Sequence, residues 1–313
     1  MTRVLYRTDH FALPLPPGHR FPLAKYARLR ERVAERVPDL LAEAPAATDV
    51  ELVRAHAPAY VAAVSAGTLD PAAQRRIGFP WSPAMVERSR RSTGATLAAC
   101  RTALATGAAV NLAGGTHHAH RDFGAGFCVF NDAAVAALTL LAEGAIARAV
   151  IIDLDVHQGD GTASILAGNA AAFTFSMHGR DNYPFRKAAG DLDIELADGT
   201  ADTAYLAALH CGLERTLAGD GIGLSIYLAG ADPYAGDRLG RLALSKSGLA
   251  ARDAAVLDAL HARRVPVAVA MAGGYAENVD DVVDIHLATI GAVLARYAPQ
   301  RMLDWNRAGA GSS

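Results

Sequence analysis

Residues 150–161 read Val150-Ile151-Ile152-Asp153-Leu154-Asp155-Val156-His157-Gln158-Gly159-Asp160-Gly161, an apolar run that turns polar abruptly. A short run rich in β-branched residues predicts a buried strand. Since alternate residues of a strand share a face, Asp153, Asp155 and His157 would point the same way where the strand ends. Two buried carboxylates are costly without a positive partner. Oxygen and nitrogen donors at this spacing therefore predict a metal site.

The same stretch has a structural alternative. In this interpretation the acids belong to a turn that starts the next helix, with Asp160 as its N-cap. The rest of the chain favours the metal site, because polar residues follow several other predicted strands as well.

Predicted strands alternate with helices along the whole chain, which indicates an α/β protein with a parallel sheet covered on both faces. No internal repeat and no linker divides the sequence, so we expect one domain. Ligands of such sheets bind beyond the carboxyl ends of the strands. The residues at predicted strand ends are His117-His118, Asp155 and His157, His178, Asp232 and Tyr275. Scattered core histidines would not follow strand ends, so this pattern favours a functional site.

These residues can be given chemical roles. Asp155, His157 and Asp232 would supply three protein ligands and leave one position open, as in catalytic zinc sites. Such a metal activates water and polarises a carbonyl, and a nearby imidazole takes the proton. Tyr275 follows two glycines and could donate its hydroxyl to a developing oxyanion. Together these features predict metal-assisted hydrolysis of an amide.

Composition and charge argue against other classes. The 313 residues are 51% hydrophobic, and a formal net charge of −2 argues against a general nucleic-acid or membrane-surface binder. The three cysteines form no CxxC pair and the N-terminus has no signal segment, so we expect a reduced, cytoplasmic protein. No apolar run is long enough to cross a membrane. The bias toward arginine and alanine suggests a bacterial genome.

The motifs resemble those of the histone deacetylase superfamily. Residues 114–120 and 124–132 are similar to its double-histidine and GFC-xx-ND signature, and residues 153–161 to its D-x-D-x-H-x-G-D-G strand. Residues 229–232 and 273–275 are similar to its third-ligand and catalytic-tyrosine motifs. The resemblance keeps the family's motif order.

Further segments resemble the class IV branch of this superfamily and its bacterial relatives: residues 182–187, 191–194, 236–240 and the short glycine run at 272–275. The related ureohydrolases bind two manganese ions through an additional aspartate. Position 159 is glycine in this chain, which disfavours a dimetal site.

The resemblance implies the arginase/deacetylase fold. This is a single α/β domain, here residues 1–306, with a central, mostly parallel eight-stranded sheet and helices on both faces. Independently of the resemblance, the sequence pattern predicts a disordered tail at residues 307–313 and a long loop at residues 179–199.

The resemblance also implies metal ligands. Zn²⁺ would be bound by Asp155, His157 and Asp232, with Fe²⁺ as the alternative ion in the cell. Asp153, a ligand on strand spacing alone, would take another role. An inner K⁺ or Na⁺ site, built largely from backbone carbonyls, would involve Asp153, Asp155, His157, Ser176 and Met177.

The implied catalytic residues surround these ligands. His118 would be the general base and then the acid, held by Asp160. His117, paired with Asp153, would be the electrostatic partner near the leaving amine, since such carboxylates set the tautomer and basicity of an imidazole. Tyr275 would bind the scissile carbonyl. The acyl-lysine tunnel would be lined by Gly126, Phe127, Phe185 and Leu239.

The sequence therefore predicts a zinc-dependent deacylase of N-acyl-lysine, with an acetyl or a longer acyl group. One alternative is a deacetylase of acetylpolyamines or other small amines, for which Asp181 lies in a suitable loop. A second is a non-catalytic acyl-lysine- or partner-binding module, which the complete set of site residues disfavours. The expected partner is an acylated lysine on a protein or peptide, or a small N-acyl amine. Neither nucleic acid nor a membrane is expected, and the oligomeric state is open.

Overall fold

An eight-stranded sheet runs through the protein, whose structure, a computed structural model, describes residues 4–309. The strands are β1 Leu5–Arg7, β2 Leu41–Glu43, β3 Ala108–Asn111, β4 Ala149–Asp153, β5 Ala172–Gly179, β6 Leu192–Leu196, β7 Leu224–Leu228 and β8 Val267–Ala270. Their order across the sheet is β2-β1-β3-β8-β7-β4-β5-β6, and every neighbouring pair is parallel. The predicted α/β fold with an eight-stranded sheet is confirmed, and all carboxyl ends lie at one edge.

Helices cover both faces of this sheet. The described residues form α1 Ala24–Ala34, α2 Asp49–Ala55, α3 Pro58–Ala66, α4 Pro71–Ile77, α5 Pro83–Thr106, α6 Asp132–Ala142, α7 Asp160–Leu166, α8 Asp202–Thr216, α9 Lys246–Ala262, α10 Val279–Tyr297 and α11 Met302–Gly309. Two 3₁₀ turns lie at Pro38–Leu40 and Pro299–Arg301. No helix in this part of the chain is both long and apolar enough to span a membrane.

The sheet divides the core into two layers, as the interior strand β4 shows. Val150 and Ile152 pack with residues of α1, α8, α9 and α10, whereas Ile151 packs on the opposite face with residues of α2, α3, α5 and α6. Both faces of a doubly covered parallel sheet are buried, which explains why this strand is a continuous apolar run.

Strand β4 is shorter than predicted. β4 ends at Asp153, so Asp155 and His157 lie in a bend. The alternation nevertheless continues, because Leu154 and Val156 remain in the core while Asp155 and His157 line a cavity. The N-cap alternative for Asp160 is wrong: helix α7 begins at Asp160 and Gly159 is its N-cap.

Two other predicted boundaries are wrong. The expected loop at residues 179–199 contains β6, in which alternating Leu192 and Leu196 are buried against β5. The tail was expected to begin at residue 307, but α11 continues to Gly309, because Trp305 is buried and anchors the helix. The remainder of the predicted tail, residues 310–313, lies outside the described residues.

Candidate active site

A cavity of about 640 Å³ opens at the carboxyl edge of the sheet. The predicted residues that line it are His117, His118, Asp155, His157, Tyr275, Gly126, Phe127, Phe185 and Leu239. Asp232 follows β7 and lies fully buried behind this wall. The strand ends thus bring together residues that are up to 158 positions apart, as His117 and Tyr275 are.

Three side chains at the cavity floor form a group that could hold a metal ion. One donor atom from each of Asp155, His157 and Asp232 lies within 4.8 Å of the other two. His157 Nδ1 lies 2.9 Å from Asp155 Oδ1 and 3.3 Å from Asp232 Oδ2. Oxygen and nitrogen donors of this kind suit Zn²⁺ and other divalent transition metals.

Backbone N–H groups hold the two carboxylates in place. Gly273 N–H donates to Asp155 Oδ2 at 2.8 Å, and Val156 N–H donates to Asp232 Oδ1 at 2.9 Å. A Cβ on Gly273 would lie 2.0 Å from Asp232 Oδ2 and 2.5 Å from Asp155 Oδ2. Glycine is therefore required at position 273, because any side chain would enter the space between the two acids.

The electrostatics of this group fit a cation. Asp232 Oδ2 accepts no hydrogen bond from any described residue, although the side chain is completely buried. Burial and the neighbouring Asp155 carboxylate raise the pKa of Asp232 to about 7. Burial lowers the pKa of His157, but the Asp155 and Asp232 carboxylates outweigh it and raise that pKa to about 10. A bound divalent cation would neutralise this excess of buried negative charge.

Two histidine–aspartate pairs lie beside the donor group. His117 Nδ1 lies 2.7 Å from Asp153 Oδ2, and His118 Nδ1 lies 2.6 Å from Asp160 Oδ1. The two imidazole rings are 4.1 Å apart. A carboxylate only accepts hydrogen bonds, so each Nδ1 carries the proton and each Nε2 is left for the cavity.

The two histidines have opposite electrostatic surroundings. Burial lowers the pKa of His117, but Asp153 and Asp155 outweigh it and raise that pKa to about 9. Burial and the nearby His117 lower the pKa of His118 to about 3. His118 is therefore neutral, with Nε2 free to accept a proton, which is the state required of a general base.

A third histidine, His120, binds the same aspartate as His118. Its Nε2 lies 3.2 Å from Asp160 Oδ2, and its ring stacks on Phe123 with centroids 4.3 Å apart. Asp160 is thus held on both oxygens. The sequence prediction had no role for His120, although a third histidine two residues after the pair was a usable signal.

Tyr275 is positioned through its backbone. Its N–H donates to Asp237 Oδ2 at 2.5 Å, and its carbonyl accepts from Arg238 Nε at 2.9 Å. The buried Lys25 donates to Ala272 O at 3.0 Å and lies 5.5 Å from the centre of the Tyr275 ring. Burial, followed by the charges of Asp155 and Asp232, raises the pKa of Tyr275 well above its usual value, so the phenol stays a donor.

A completely buried arginine joins the two segments that carry the donor group. Arg252 of α9 donates through Nη1 to Gly230 O at 2.6 Å and to Leu154 O at 3.3 Å. Asp253 accepts from Arg252 Nε at 2.8 Å and balances its charge. The carbonyls belong to Leu154, one residue before Asp155, and to Gly230, two residues before Asp232. The sequence contained no signal for this contact, since an Arg-Asp pair on a helix usually lies at the surface.

The residues of the predicted inner cation site lie at the end of β4, in the bend that follows it, and on the neighbouring strand β5. Asp153 of β4 is in register with Ser176 of β5, and Met177 follows it, fully buried. Ser176 Oγ lies 2.9 Å from His178 Nδ1. Binding of a monovalent cation there stays a prediction.

The cavity walls are aromatic. Phe127, with a positive φ of 67°, stacks on Phe79 with ring centroids 5.4 Å apart. Tyr183 meets the His118 ring edge-on at 4.8 Å, and Phe185 at the rim is 84% exposed. Phe21, Phe79 and Tyr183 were not predicted to line the cavity. Their positions follow from loops that meet only in the folded chain.

Comparison with known proteins agrees with this geometry. A family profile described as the histone deacetylase domain matches residues 19–290. An uncharacterised protein of Picosynechococcus is 43% identical over 286 residues, which cover 90% of this chain and 95% of that protein. Histone deacetylase 2 of Arabidopsis thaliana is 33% identical over 192 residues, which cover 60% of this chain and 50% of the plant protein.

Solved structures share the fold. A histone deacetylase homologue complexed with SAHA superposes with a TM-score of 0.78 at 24% identity, covering 98% of this chain and 84% of that chain. Acetylpolyamine aminohydrolase from Burkholderia pseudomallei superposes with a TM-score of 0.72 at 20% identity, covering 93% and 99% of the two chains.

Proposed function

Because the chain belongs to the histone deacetylase family, we propose that it is a zinc-dependent deacylase that hydrolyses the amide of an N-acyl-lysine. One observation carries the proposal: three buried metal donors lie beside two histidines whose pKa values are shifted in opposite directions. Such pairs of titratable groups mark acid–base assignments in hydrolytic sites.

Asp155, His157 and Asp232 would hold the ion. The Asp232 oxygen without a hydrogen-bond donor and the two adjacent buried carboxylates support this assignment. When bound, Zn²⁺, or Fe²⁺ in its place, would supply a Lewis acid that activates water and polarises the scissile carbonyl.

The protein's own groups would handle the protons. His118, neutral and oriented by Asp160, takes a proton from the attacking water on Nε2 and later delivers it to the leaving amine. His117, which Asp153 keeps protonated, places a positive charge near the leaving group. Tyr275 keeps its phenolic proton and donates a hydrogen bond to the carbonyl oxygen as negative charge develops.

The substrate would reach these groups through the aromatic tunnel. Gly126, Phe127, Phe185 and Leu239 would contact the lysine stem, and the acyl group, acetyl or longer, would lie beyond Tyr275. The same proposal includes class IV membership, a cytoplasmic location and a single catalytic domain. It also includes an inner K⁺ or Na⁺ ion at Asp153, Asp155, His157, Ser176 and Met177.

A second candidate is hydrolysis of acetylpolyamines. The Burkholderia pseudomallei structure named above supports it through likeness of fold. The charge around the cavity opposes it, because Asp181 is the one exposed acidic residue in the described lining. A polyamine carries several positive charges and needs acidic partners.

The proposal is tested by hydrolysis assays. Acetyl-lysine peptides, longer acyl-lysine peptides and acetylpolyamines are supplied in parallel, before and after treatment with a chelator and after re-addition of Zn²⁺ or Fe²⁺. We expect activity on acyl-lysine that is lost with the metal and restored by it. Tyr275→Phe should lower kcat about 10²–10³-fold, the usual effect of removing one oxyanion donor.

Three outcomes contradict the proposal. Activity that survives complete metal removal excludes the metal role, and full activity of Tyr275→Phe excludes the oxyanion role. If kcat/KM is higher on acetylpolyamines than on every acyl-lysine peptide, the substrate is an acetylpolyamine, as in the second candidate function.

A further inference from the structure

The mouth of the active-site cavity is positively charged. Five exposed charged residues line it, of which four are basic and one is acidic: Arg20, Arg75, Arg76, Arg241 and Asp181. The chain as a whole has a formal net charge of −2, so this excess is local. Charges at the entrance of a site attract ligands of opposite charge and repel ligands of the same charge.

Two of these residues are already neutralised by neighbours. Asp181 pairs with Arg180 at 3.4 Å, and Arg241 Nη1 lies 3.1 Å from Asp198 Oδ2. Arg20, Arg75 and Arg76, called the mouth arginines below, have no carboxylate within 4.0 Å in residues 4–309. None of the three mouth arginines therefore forms an ion pair within the described chain.

Two mouth arginines are fixed to the tunnel wall. Arg75 and Arg76 form the last turn of α4, and the carbonyl of Arg76 accepts from Gly126 N–H at 3.2 Å. The next carbonyl, of Ile77, accepts from Phe127 N–H at 2.7 Å. The Arg76 guanidinium also lies 4.7 Å from the centre of the Phe123 ring. The charges are thus anchored within a residue or two of the predicted substrate contacts.

A purely structural role explains only part of this arrangement. Cations in the last turn of a helix interact favourably with its C-terminal dipole, which applies to Arg75 and Arg76. Arg20 lies outside any helix, in the segment whose His19 Nε2 lies 2.8 Å from Gly78 O, just after α4. The convergence of all three on one opening requires a further reason.

We propose that the mouth arginines bind the anionic flank of the substrate, so that the preferred substrate is an acyl-lysine within a segment rich in aspartate and glutamate. This inference rests on the proposed deacylase function and names its substrate class. Exposed ion pairs are each worth about a two- to five-fold change in affinity, so three should give roughly ten-fold or more. The same charges repel a polyamine.

The test compares two acetyl-lysine peptides of equal length that differ only in flanking residues, glutamate in one and lysine in the other. A short uncharged acetyl-lysine amide serves as the reference substrate. We expect the KM of the acidic peptide to be roughly ten-fold lower, with equal kcat, because the charges lie outside the reacting centre. The preference should shrink between about 0.05 M and about 0.5 M NaCl, as the Debye length falls below the ion-pair range.

Variants identify the residues responsible. Arg75→Glu with Arg76→Glu should reverse the preference, and the Gln versions should abolish it, both without changing kcat/KM on the uncharged amide. Arg54→Glu is the matched control, since Arg54 is an exposed arginine in the last turn of α2 and does not line the cavity. Circular dichroism confirms folding of each variant.

The inference is overturned if both peptides have the same KM, or if the preference persists in the Arg75 and Arg76 variants. It is also overturned if a single-stranded oligonucleotide inhibits below the KM of the acidic peptide, since nucleic acid would then be the anion. If even the uncharged amide is not hydrolysed, the proposed function fails instead. In that case, fluorescence anisotropy measures the binding of the labelled acidic and basic peptides to the same variants. It tests the preference for an acidic peptide without relying on hydrolysis.

Discussion

The floor and the mouth of the cavity differ in whether their charged side chains have partners. At the floor, each carboxylate has defined partners, such as Gly273 N–H on Asp155 and two imidazoles on Asp160. At the mouth, Arg20, Arg75 and Arg76 have no carboxylate partner in the described chain. Unpaired charge is costly in a buried, low-dielectric setting and cheap in water.

The difference separates two tasks. A buried network fixes the geometry of reacting groups because every atom has one favourable place. An exposed charge without an ion-pair partner does not hold other groups of its own chain in place. It therefore remains available to bind another molecule. Substitutions at the floor should therefore change stability, metal binding or kcat, whereas substitutions at the mouth should change only how substrates are selected.

The largest effect is expected for Arg252→Met beneath the floor. It leaves the buried Asp253 without its cation and two carbonyls without their donor, so the free energy of unfolding should fall by about 3–5 kcal/mol. Urea unfolding measures the change. Arg252→Met combined with Asp253→Asn should recover part of it. A loss below about 1 kcal/mol in the single variant would show that this buried pair is not needed.

Next in size is Asp232→Asn. Removing one anionic donor should weaken Zn²⁺ binding by more than about 100-fold, beyond the effect of altering a residue that only supports a ligand. Metal content after dialysis and activity measure this. The stability of the metal-free protein should not fall, since Asn retains the oxygen that accepts from Val156 N–H. One tightly bound equivalent of Zn²⁺ in the variant contradicts the assignment.

A smaller effect is expected for His120→Leu. Asp160 then loses one of its two donors, so it supports a proton on His118 more strongly, and the acidic limb of kcat/KM should move to higher pH. The charged groups facing His118 are otherwise His117, His157 and Asp160 itself. Because Asp160 is then held less firmly, the orientation of His118 is also weakened, and we expect about a ten-fold fall in kcat near neutral pH.

The conservative variant separates orientation from packing. His120→Gln keeps an N–H at a similar distance from Asp160, so its pH profile should resemble that of the unsubstituted protein. Equal displacement of the profile in both variants would assign His120 to packing on Phe123 alone.

The smallest effect on stability is expected at the mouth. Arg20→Gln should change the free energy of unfolding by less than about 0.5 kcal/mol, because the exposed side chain has no ion-pair partner among the described residues. Thermal and urea unfolding check this. A loss comparable to that of Arg252→Met would remove the distinction between floor and mouth.

Several features of the fold could be predicted from local pattern. The apolar run before Asp153 predicts a doubly covered strand, and it forms an interior strand of the parallel sheet. The strand β6 was missed, since residues 179–199 are rich in turn formers and its pairing with β5 depends on a distant segment. The helix at the C-terminus was missed because its one strong anchor, Trp305, packs against helices elsewhere.

The sequence by itself determined which chemical groups gather at the carboxyl edge, because parallel strands place their ends together and the polar residues follow those ends. Only the tertiary structure decided how the groups are held. The contact of Arg252 with Leu154 O and Gly230 O, and that of His120 with Asp160, join residues far apart in the chain. The lack of a carboxylate partner for the mouth arginines among residues 4–309 is likewise visible only in the folded chain. Periodicity reports which face a residue occupies, whereas pairing and solvation depend on distances that no local pattern contains.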